Sequence, residues 1–483
     1  MASVAPQAWT TTHDSTITLD DCLSIRDGHL YIEDCDTVEL AARFGTPLNV
    51  VSEAQLRSNA RRYTAAYTGG WPNGRVNILP SIKANYSLAL RHILSQEGMG
   101  CDTFGASELH AAIEGGVRPA LISVNGSIKD AELIDRAVKA GARITLDSAR
   151  ELDLVADAAQ RTGRVARIRF RVRPSYTELR QATEFVEEDV PIFYAANAYK
   201  PGIPTEDLPA LGPRAFATDG VEVTGVMVHL GRHHRDLAVW RAMIASFAHV
   251  VEMLLRAWDG WEPHEIDVGG GFATRRDPFG RAMARNRDRP QGDHAPSIED
   301  YARCITSALD SELRHRGVDP TGKTLEVEPG RSMYADSGIH LATVRNVKQQ
   351  SRPVAQRWIE VDTSEAFLPD VIVEHSRFAH VVANKADRAP EERADIVGKS
   401  CGFDLLSESA AVPEVGVGDV VAFLDTGAYQ DAVSNNFNAM ARPATVLVNG
   451  AGAEIIKRAE TVADVFSRDV IPQRLAAAGP SEP

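Results

Sequence analysis

The stretch Val76-Asn77-Ile78-Leu79-Pro80-Ser81-Ile82-Lys83-Ala84-Asn85 decides the fold. It is a short β-like run that ends in a lysine. Seven further runs of the same kind follow, at 100–103, 121–124, 143–146, 166–172, 223–230, 265–268 and 324–328, with helix-like stretches between them. The intervening stretches carry helix signals. Ser52 with Gln55 and Ser148 with Glu151 read as capping boxes, and Gly163 reads as the stop of the second of these helices. Leu133, Ile134, Ala137 and Val138 fall on one helical face. Eight β/α repeats predict an α/β fold, a (β/α)8 TIM-type barrel, whose chemistry gathers at the C-terminal ends of the strands.

Beyond residue 335 the rhythm changes. Strand-like runs at 339–347, 357–361, 378–382, 395–397, 420–424, 444–448 and 454–456 follow one another without long helices, which predicts a C-terminal antiparallel β-barrel or sandwich domain. The expected division is an N-terminal tail and strands (1–45) that join the β-domain, a barrel (46–335), the β-domain itself (336–470) and a short tail (471–483). The arginine-rich segment 275–295 is too long for an ordinary connection and reads as a lid or an inert insertion.

Composition narrows the function. The chain has 483 residues, 52 Lys and Arg against 66 Asp and Glu, and a net charge of −14, so no nucleic-acid partner is expected. No apolar run long enough to span a bilayer is expected, nor any membrane association. The polar N-terminus lacks the pattern of a signal peptide. Five scattered cysteines without a CxxC pair predict neither a disulfide framework nor a metal site, and fit a reducing cytoplasm.

The strand ends then carry the chemistry. The first ends in Lys83, where desolvation is expected to lower the pKa and favour the neutral amine. The sixth ends in His229, which alone reads equally well as a core histidine. The seventh ends in Gly269-Gly270-Gly271, a phosphate-cradling turn or merely a turn. The eighth ends in Glu328-Pro329-Gly330-Arg331, partners for a ring nitrogen and an anion, or for each other in a rim salt bridge. Together these are the parts that a pyridoxal 5′-phosphate site needs: a lysine for the aldehyde, a histidine to stack, glycines for the phosphate and an acid beside the pyridine nitrogen.

At this point the chain resembles the barrel-type, fold type III pyridoxal-phosphate decarboxylases, the group of ornithine, diaminopimelate and arginine decarboxylases. The resemblance runs from Phe44 to Arg458. It is carried by Lys83-Ala84-Asn85, Asp102 to Glu108, Asn125-Gly126-Ser127 with Lys129, Asp147-Ser148, Arg171-Val172-Arg173-Pro174, His229-Leu230-Gly231, Gly269-Gly270-Gly271-Phe272, Glu328-Pro329-Gly330-Arg331, Cys401 with Asp404, Gly427-Ala428-Tyr429 and Phe437-Asn438. The resemblance implies that Lys83 is the Schiff-base lysine, that His229 stacks on the ring and that Glu328 pairs with the ring nitrogen. Gly269, Gly270, Gly271, Arg331 and Tyr429 then hold the phosphate. It also implies a homodimer with shared active sites, in which Cys401 comes from the partner chain and reprotonates the carbanion. Asp404 and Tyr429, with Arg232, are the expected substrate contacts.

The departures from the family pattern concern the substrate's distal end. Two residues rather than three separate Cys401 from Asp404. The glutamate that follows the cysteine in diaminopimelate decarboxylases is Gly402. Their Arg-Pro pair after the strand near Asp362 is missing from Ala366-Phe367-Leu368-Pro369-Asp370. The serine expected after the histidine-glycine motif is Arg232, followed by His233, His234 and Arg235, a cluster that grips a phosphate or an anionic distal group, or is a solvated turn. Lys200-Pro201-Gly202 stands for a lysine-phenylalanine-glycine element. The expected activity is α-decarboxylation of an amino acid or amino-acid conjugate with an atypical distal group. The alternatives are an amino-acid racemase or epimerase and a non-catalytic cofactor-binding regulator.

Overall fold

A computed structural model describes residues 19–181, 185–187, 190–229, 231–274, 295–374 and 378–476. Eight parallel strands stand where the eight runs predict them: Val76–Ile78, Cys101–Thr103, Ile122–Val124, Arg143–Leu146, Ala166–Arg173, Val221–Met227, Glu265–Asp267 and Thr324–Val327. Each pairs with the next from the second to the eighth, and the eighth pairs with the first. The ring closes between the first and second through a parallel bridge from Ser81 to Asp102. That closure lies at the C-terminal mouth, beside Lys83. The segment 275–294, most of the stretch expected to be a lid or an inert insertion, lies outside the described residues.

Local signals explain most of the helices. Ser52 accepts from the Gln55 N–H at 3.0 Å and caps helix Glu53–Gly70. Gly163 ends helix Arg150–Thr162 in the left-handed region, at φ 64°. Leu133, Ile134, Ala137 and Val138 are buried on one face of helix Ala131–Ala140. The capping box at Ser148 does not form. The Glu151 carboxylate instead accepts from the Asp147 N–H at 2.7 Å and pairs with the buried Lys129 at 2.9 Å, so a tertiary ion pair displaces the local cap.

Helix Leu237–Ala257 corrects the expectation that no apolar segment reaches spanning length. It is long and apolar enough by composition, and its Trp240, Ile244, Phe247, Val251 and Leu254 are buried in the protein core.

The barrel interior is not uniformly apolar. Inward-facing positions alternate along each strand, and several of them here are charged. Arg143 and Arg169 share Glu326, each at 2.5 Å, and Arg143 also meets Glu265 at 3.0 Å. Buried charges survive only when paired, and this ladder pairs them across four strands beneath the mouth.

The second domain is mixed rather than antiparallel. Strand Gly338–Gln350 pairs antiparallel with Leu48–Ser52, which pairs parallel with Ala444–Asn449. Gln356–Val361 likewise runs parallel to Glu392–Val397. Parallel neighbours need a long crossover. In the first case residues 53–443, the barrel and most of the β-domain, supply it, and in the second the segment 362–391 does. This second crossover brings helix Asp370–Val373 and Glu374 to the barrel mouth. The strands Leu23–Arg26, His29–Ile32 and Cys35–Asp36 form a separate small sheet. Leu30 and Ile32 from that sheet pack into one apolar core with Ile339, Leu341 and Val446 of the β-domain.

Candidate active site

A cavity of about 740 Å³ opens at the barrel mouth. Lys83, His229, Gly271, Glu328, Arg331, Tyr429 and Arg232 all line it, drawn from four barrel loops and the β-domain.

Lys83 lies in a short turn after the first strand. Its side chain is 43% accessible, and that accessible face looks into the cavity. Its Nζ lies 3.2 Å from Asp102 Oδ2. Burial disfavours the ammonium, but Asp102, with Tyr429 and Glu328 behind it, outweighs burial and holds the lysine pKa above its ordinary value. This reverses the expected lowering, because a carboxylate within ion-pair distance offsets desolvation. Asp102 is itself kept ionised: burial works against the charge, while Lys83, the Ser81 hydroxyl at 2.7 Å and the Asn125 amide at 2.7 Å favour it.

Asn125 also donates to Glu328 Oε1 at 2.5 Å. It therefore ties the lysine's partner to the acid across the cavity. Burial, then Asp267 and Asp102, raise the Glu328 pKa well above the usual carboxylate range. His229 is driven the other way, well below the usual imidazole range, by burial and then by Lys83 and Arg171. The Gly231 N–H approaches its Nδ1 at 3.2 Å, which assigns the proton of the neutral ring to Nε2.

The three glycines are required sterically. A Cβ at Gly269 would sit 2.6 Å from the Val228 carbonyl, at Gly270 2.1 Å from the Glu328 carbonyl, and at Gly271 2.6 Å from the Gly231 carbonyl. The turn is wedged between the loops that carry His229 and Glu328, and Gly269 and Gly271 have positive φ.

Arg331 is buried, pairs with Asp370 at 2.5 Å and lies over the Tyr429 ring at 4.7 Å. The rim salt bridge between Glu328 and Arg331 is therefore not made. The Arg331 Nε is buried with no hydrogen-bond partner among the described residues. The Tyr429 N–H donates to the Ala84 carbonyl at 2.7 Å, which fixes the β-domain against the lysine turn.

The Arg232 cluster divides in two. Arg232 Nη1 pairs with Glu374 at 2.8 Å, and His233 Nε2 lies 3.6 Å from the same carboxylate. His234 is buried instead. Its N–H donates to the Gly271 carbonyl at 3.0 Å, and its carbonyl accepts from Tyr301 at 2.7 Å. His234 locks the turn to the glycines, whereas Arg232 remains exposed at the cavity.

Two expected site residues lie elsewhere. Cys401 is exposed outside the cavity, with the Asn438 amide 3.2 Å from its Sγ. Asp404 is buried, and its carboxylate accepts from the N–H groups of Glu365 at 2.5 Å and Ser400 at 2.7 Å. Its backbone contacts hold the 398–404 turn, and it does not line the cavity. Residues not anticipated as part of the site are Ser81, Asp102, Asn125, Arg171, Asp370 and Glu374. Asp102 lies at the end of the second run and Asn125 just after the third, so the same strand-end rule reaches them. Asp370 and Glu374 arrive by the parallel crossover, and no local pattern announces them.

The arrangement fits a phosphorylated pyridine aldehyde. Backbone at a glycine turn and a buried guanidinium with a spare donor suit the phosphate, a lysine suits the aldehyde, and a proton-holding acid suits the ring nitrogen. Comparison with known proteins agrees. Residues 53–335 match the pyridoxal binding domain of the pyridoxal-dependent decarboxylases. The chain belongs to this family. It is 30% identical over 461 residues to the diaminopimelate decarboxylase of Archaeoglobus fulgidus, covering 94% of this chain and 99% of that one. The crystal structure of diaminopimelate decarboxylase from M. jannaschii superposes with a TM-score of 0.83 at 27% identity, covering 94% of this chain and 99% of that one. A second structure of that enzyme, in co-complex with L-lysine, gives 0.82 at 26% identity, with coverage of 95% and 100%. The decarboxylase is thus a fold type III, pyridoxal-phosphate-dependent carboxy-lyase acting on an amino acid.

Proposed function

We propose that this decarboxylase removes the α-carboxylate of an amino acid, or amino-acid conjugate, whose distal end differs from that of diaminopimelate. The observation that carries this reading is the cavity wall contributed by the β-domain. There Asp370 and Glu374 stand on the crossover, paired with Arg331 and Arg232. No arginine occupies 366–370, and Gly402 follows the cysteine. A distal group meets a carboxylate-rich wall with Arg232 as its exposed cation.

Bound pyridoxal 5′-phosphate supplies an aldehyde that takes the amine and a protonated ring that accepts the electron pair left by departing carbon dioxide. The chain's own residues do the rest. Lys83 would offer its amine, held in place by Asp102 Oδ2 3.2 Å from Nζ. The N–H groups of Gly270 and Gly271, with Arg331 and Tyr429, would bind the phosphate, while the Gly269 N–H is already donated to Asp267 Oδ1 at 2.7 Å. Glu328 would pair with the ring nitrogen, and His229 would cover the ring face as a neutral imidazole.

The α-carbon proton comes from Cys401 of a second copy in a homodimer with shared sites. Support for this is the position of Cys401 on an exposed rim with Phe403, which is 98% accessible, and Phe437. Five free cysteines support a reducing, cytoplasmic location. The test is carbon dioxide release by cofactor-loaded protein over a panel of ornithine, lysine, arginine, diaminopimelate, glutamate conjugates and citryl-linked diamino acids. Racemisation without release would contradict the assignment.

A further inference from the structure

The barrel floor beneath Glu328 is more heavily charged than binding a cofactor requires. Arg169 projects inward from the fifth strand and is fully buried. Its Nη2 lies 2.6 Å from Asp267 Oδ2, 2.6 Å from Ser123 Oγ and 3.4 Å from Glu328 Oε1. Its Nη1 meets Glu326 at 2.5 Å, and its Nε donates to Thr145 at 2.7 Å. All three guanidinium nitrogens have partners, which hold it beside Glu328.

We propose that Arg169 is a positioning residue: wedged between Asp267 and Glu328, it decides how readily Glu328 carries its negative charge toward the cofactor ring nitrogen. The proposal rests on the reading of Glu328 as the ring-nitrogen partner. Glu328 is faced by Asp267, by Asp102 through Asn125, by Lys83 and by Arg169. Asp267 and Asp102 oppose its ionisation, whereas Arg169 and Lys83 favour it. Asp267 competes with Glu328 for the same guanidinium nitrogen, and the shorter distance is to Asp267. Glu326 and Arg143 lie one layer deeper and hold the other side of Arg169 in place.

The geometry gives two variants opposite signs. Arg169→Met leaves two buried carboxyl groups facing each other without a cation, so Glu328 keeps its proton to higher pH. Asp267→Asn removes the competitor and the repulsion, so Glu328 ionises at lower pH. The experiment is a pH titration of the visible absorption of cofactor-loaded wild type and both variants, alongside the dissociation constant for pyridoxal phosphate. The expected result is a midpoint raised by about one pH unit in Arg169→Met and lowered by about one unit in Asp267→Asn. For Arg169→Met, kcat should fall by about 100-fold with KM changed less than about threefold. A merely structural role would not move the two midpoints in opposite directions. Unmoved midpoints, or midpoints moved the same way, overturn the proposal. Should Arg169→Met fail to fold, Asp267→Asn decides alone, its lowered midpoint supporting the proposal and an unchanged one overturning it. Failure of the wild type to gain visible absorption with pyridoxal phosphate would instead overturn the reading of the site.

Discussion

The floor and the far wall of the cavity differ in origin and in what they hold. The floor is built at the ends of six barrel strands: Lys83, Asn125, His229, the three glycines and Glu328 follow their strands, and Asp102 lies within Cys101–Thr103. The wall is built by a crossover of the β-domain, which carries Asp370 and Glu374 to Arg331 and Arg232. The floor keeps the parts that the family's cofactor needs, and the wall departs from the family's diaminopimelate pattern. On the proposed reading the scaffold fixes the chemistry and the crossover selects the distal group, while its Asp370 also anchors Arg331 of the scaffold. Substitutions in the floor should act on cofactor and kcat, and substitutions in the wall on KM.

The sharpest break comes at Lys83. Lys83→Ala should abolish the visible absorption of the loaded protein and cut carbon dioxide release by roughly 1,000-fold or more. Retained turnover would detach the chemistry from the floor.

Next is Gly270→Ala. The added Cβ would sit 2.1 Å from the Glu328 carbonyl, so backbone must shift. Overpacking of this kind costs about 1–3 kcal/mol. Pyridoxal phosphate should bind roughly 10–100-fold more weakly by equilibrium titration.

The wall is tested by Arg232→Ala, which removes the cation paired with Glu374. KM for the accepted substrate should rise about tenfold while kcat stays within about twofold. A matching loss in kcat would merge wall and floor.

The smallest effect lies away from both regions. His340 is buried between Asn49 Oδ1 and Thr363 Oγ1, each at 2.7 Å, and burial lowers its pKa to about 3. The unfolded chain takes up this proton near pH 6.5. The stability present above that pH is therefore lost as the pH falls toward 3, because the unfolded state then binds more protons. Between pH 6.5 and 4 the Tm should fall more steeply for wild type than for His340→Gln, with activity at pH 7.5 unchanged.

The contrast also explains what was legible in the sequence. Lys83, His229, Gly269 to Gly271 and Glu328 could be read because each follows a strand whose local pattern is plain. The parallel pairings of Leu48–Ser52 with Ala444–Asn449, and of Gln356–Val361 with Glu392–Val397, could not, since strand order in the β-domain depends on partners far apart in the chain. Glu374 was hidden for the same reason. The raised lysine pKa was missed because the Asp102 carboxylate is a tertiary neighbour. Arg143 and Arg169 lie in strands that read as ordinary half-buried runs, and only ring closure places both against Glu326.

The most direct test is the kcat/KM for carbon dioxide release from meso-diaminopimelate against the rest of the amino-acid panel, measured on cofactor-loaded protein. The account predicts release that depends on Lys83, with at least one other amino acid or conjugate preferred by about tenfold or more. Diaminopimelate as the best substrate would contradict the reading of the wall, and loss of optical activity without carbon dioxide would contradict the reading of the floor.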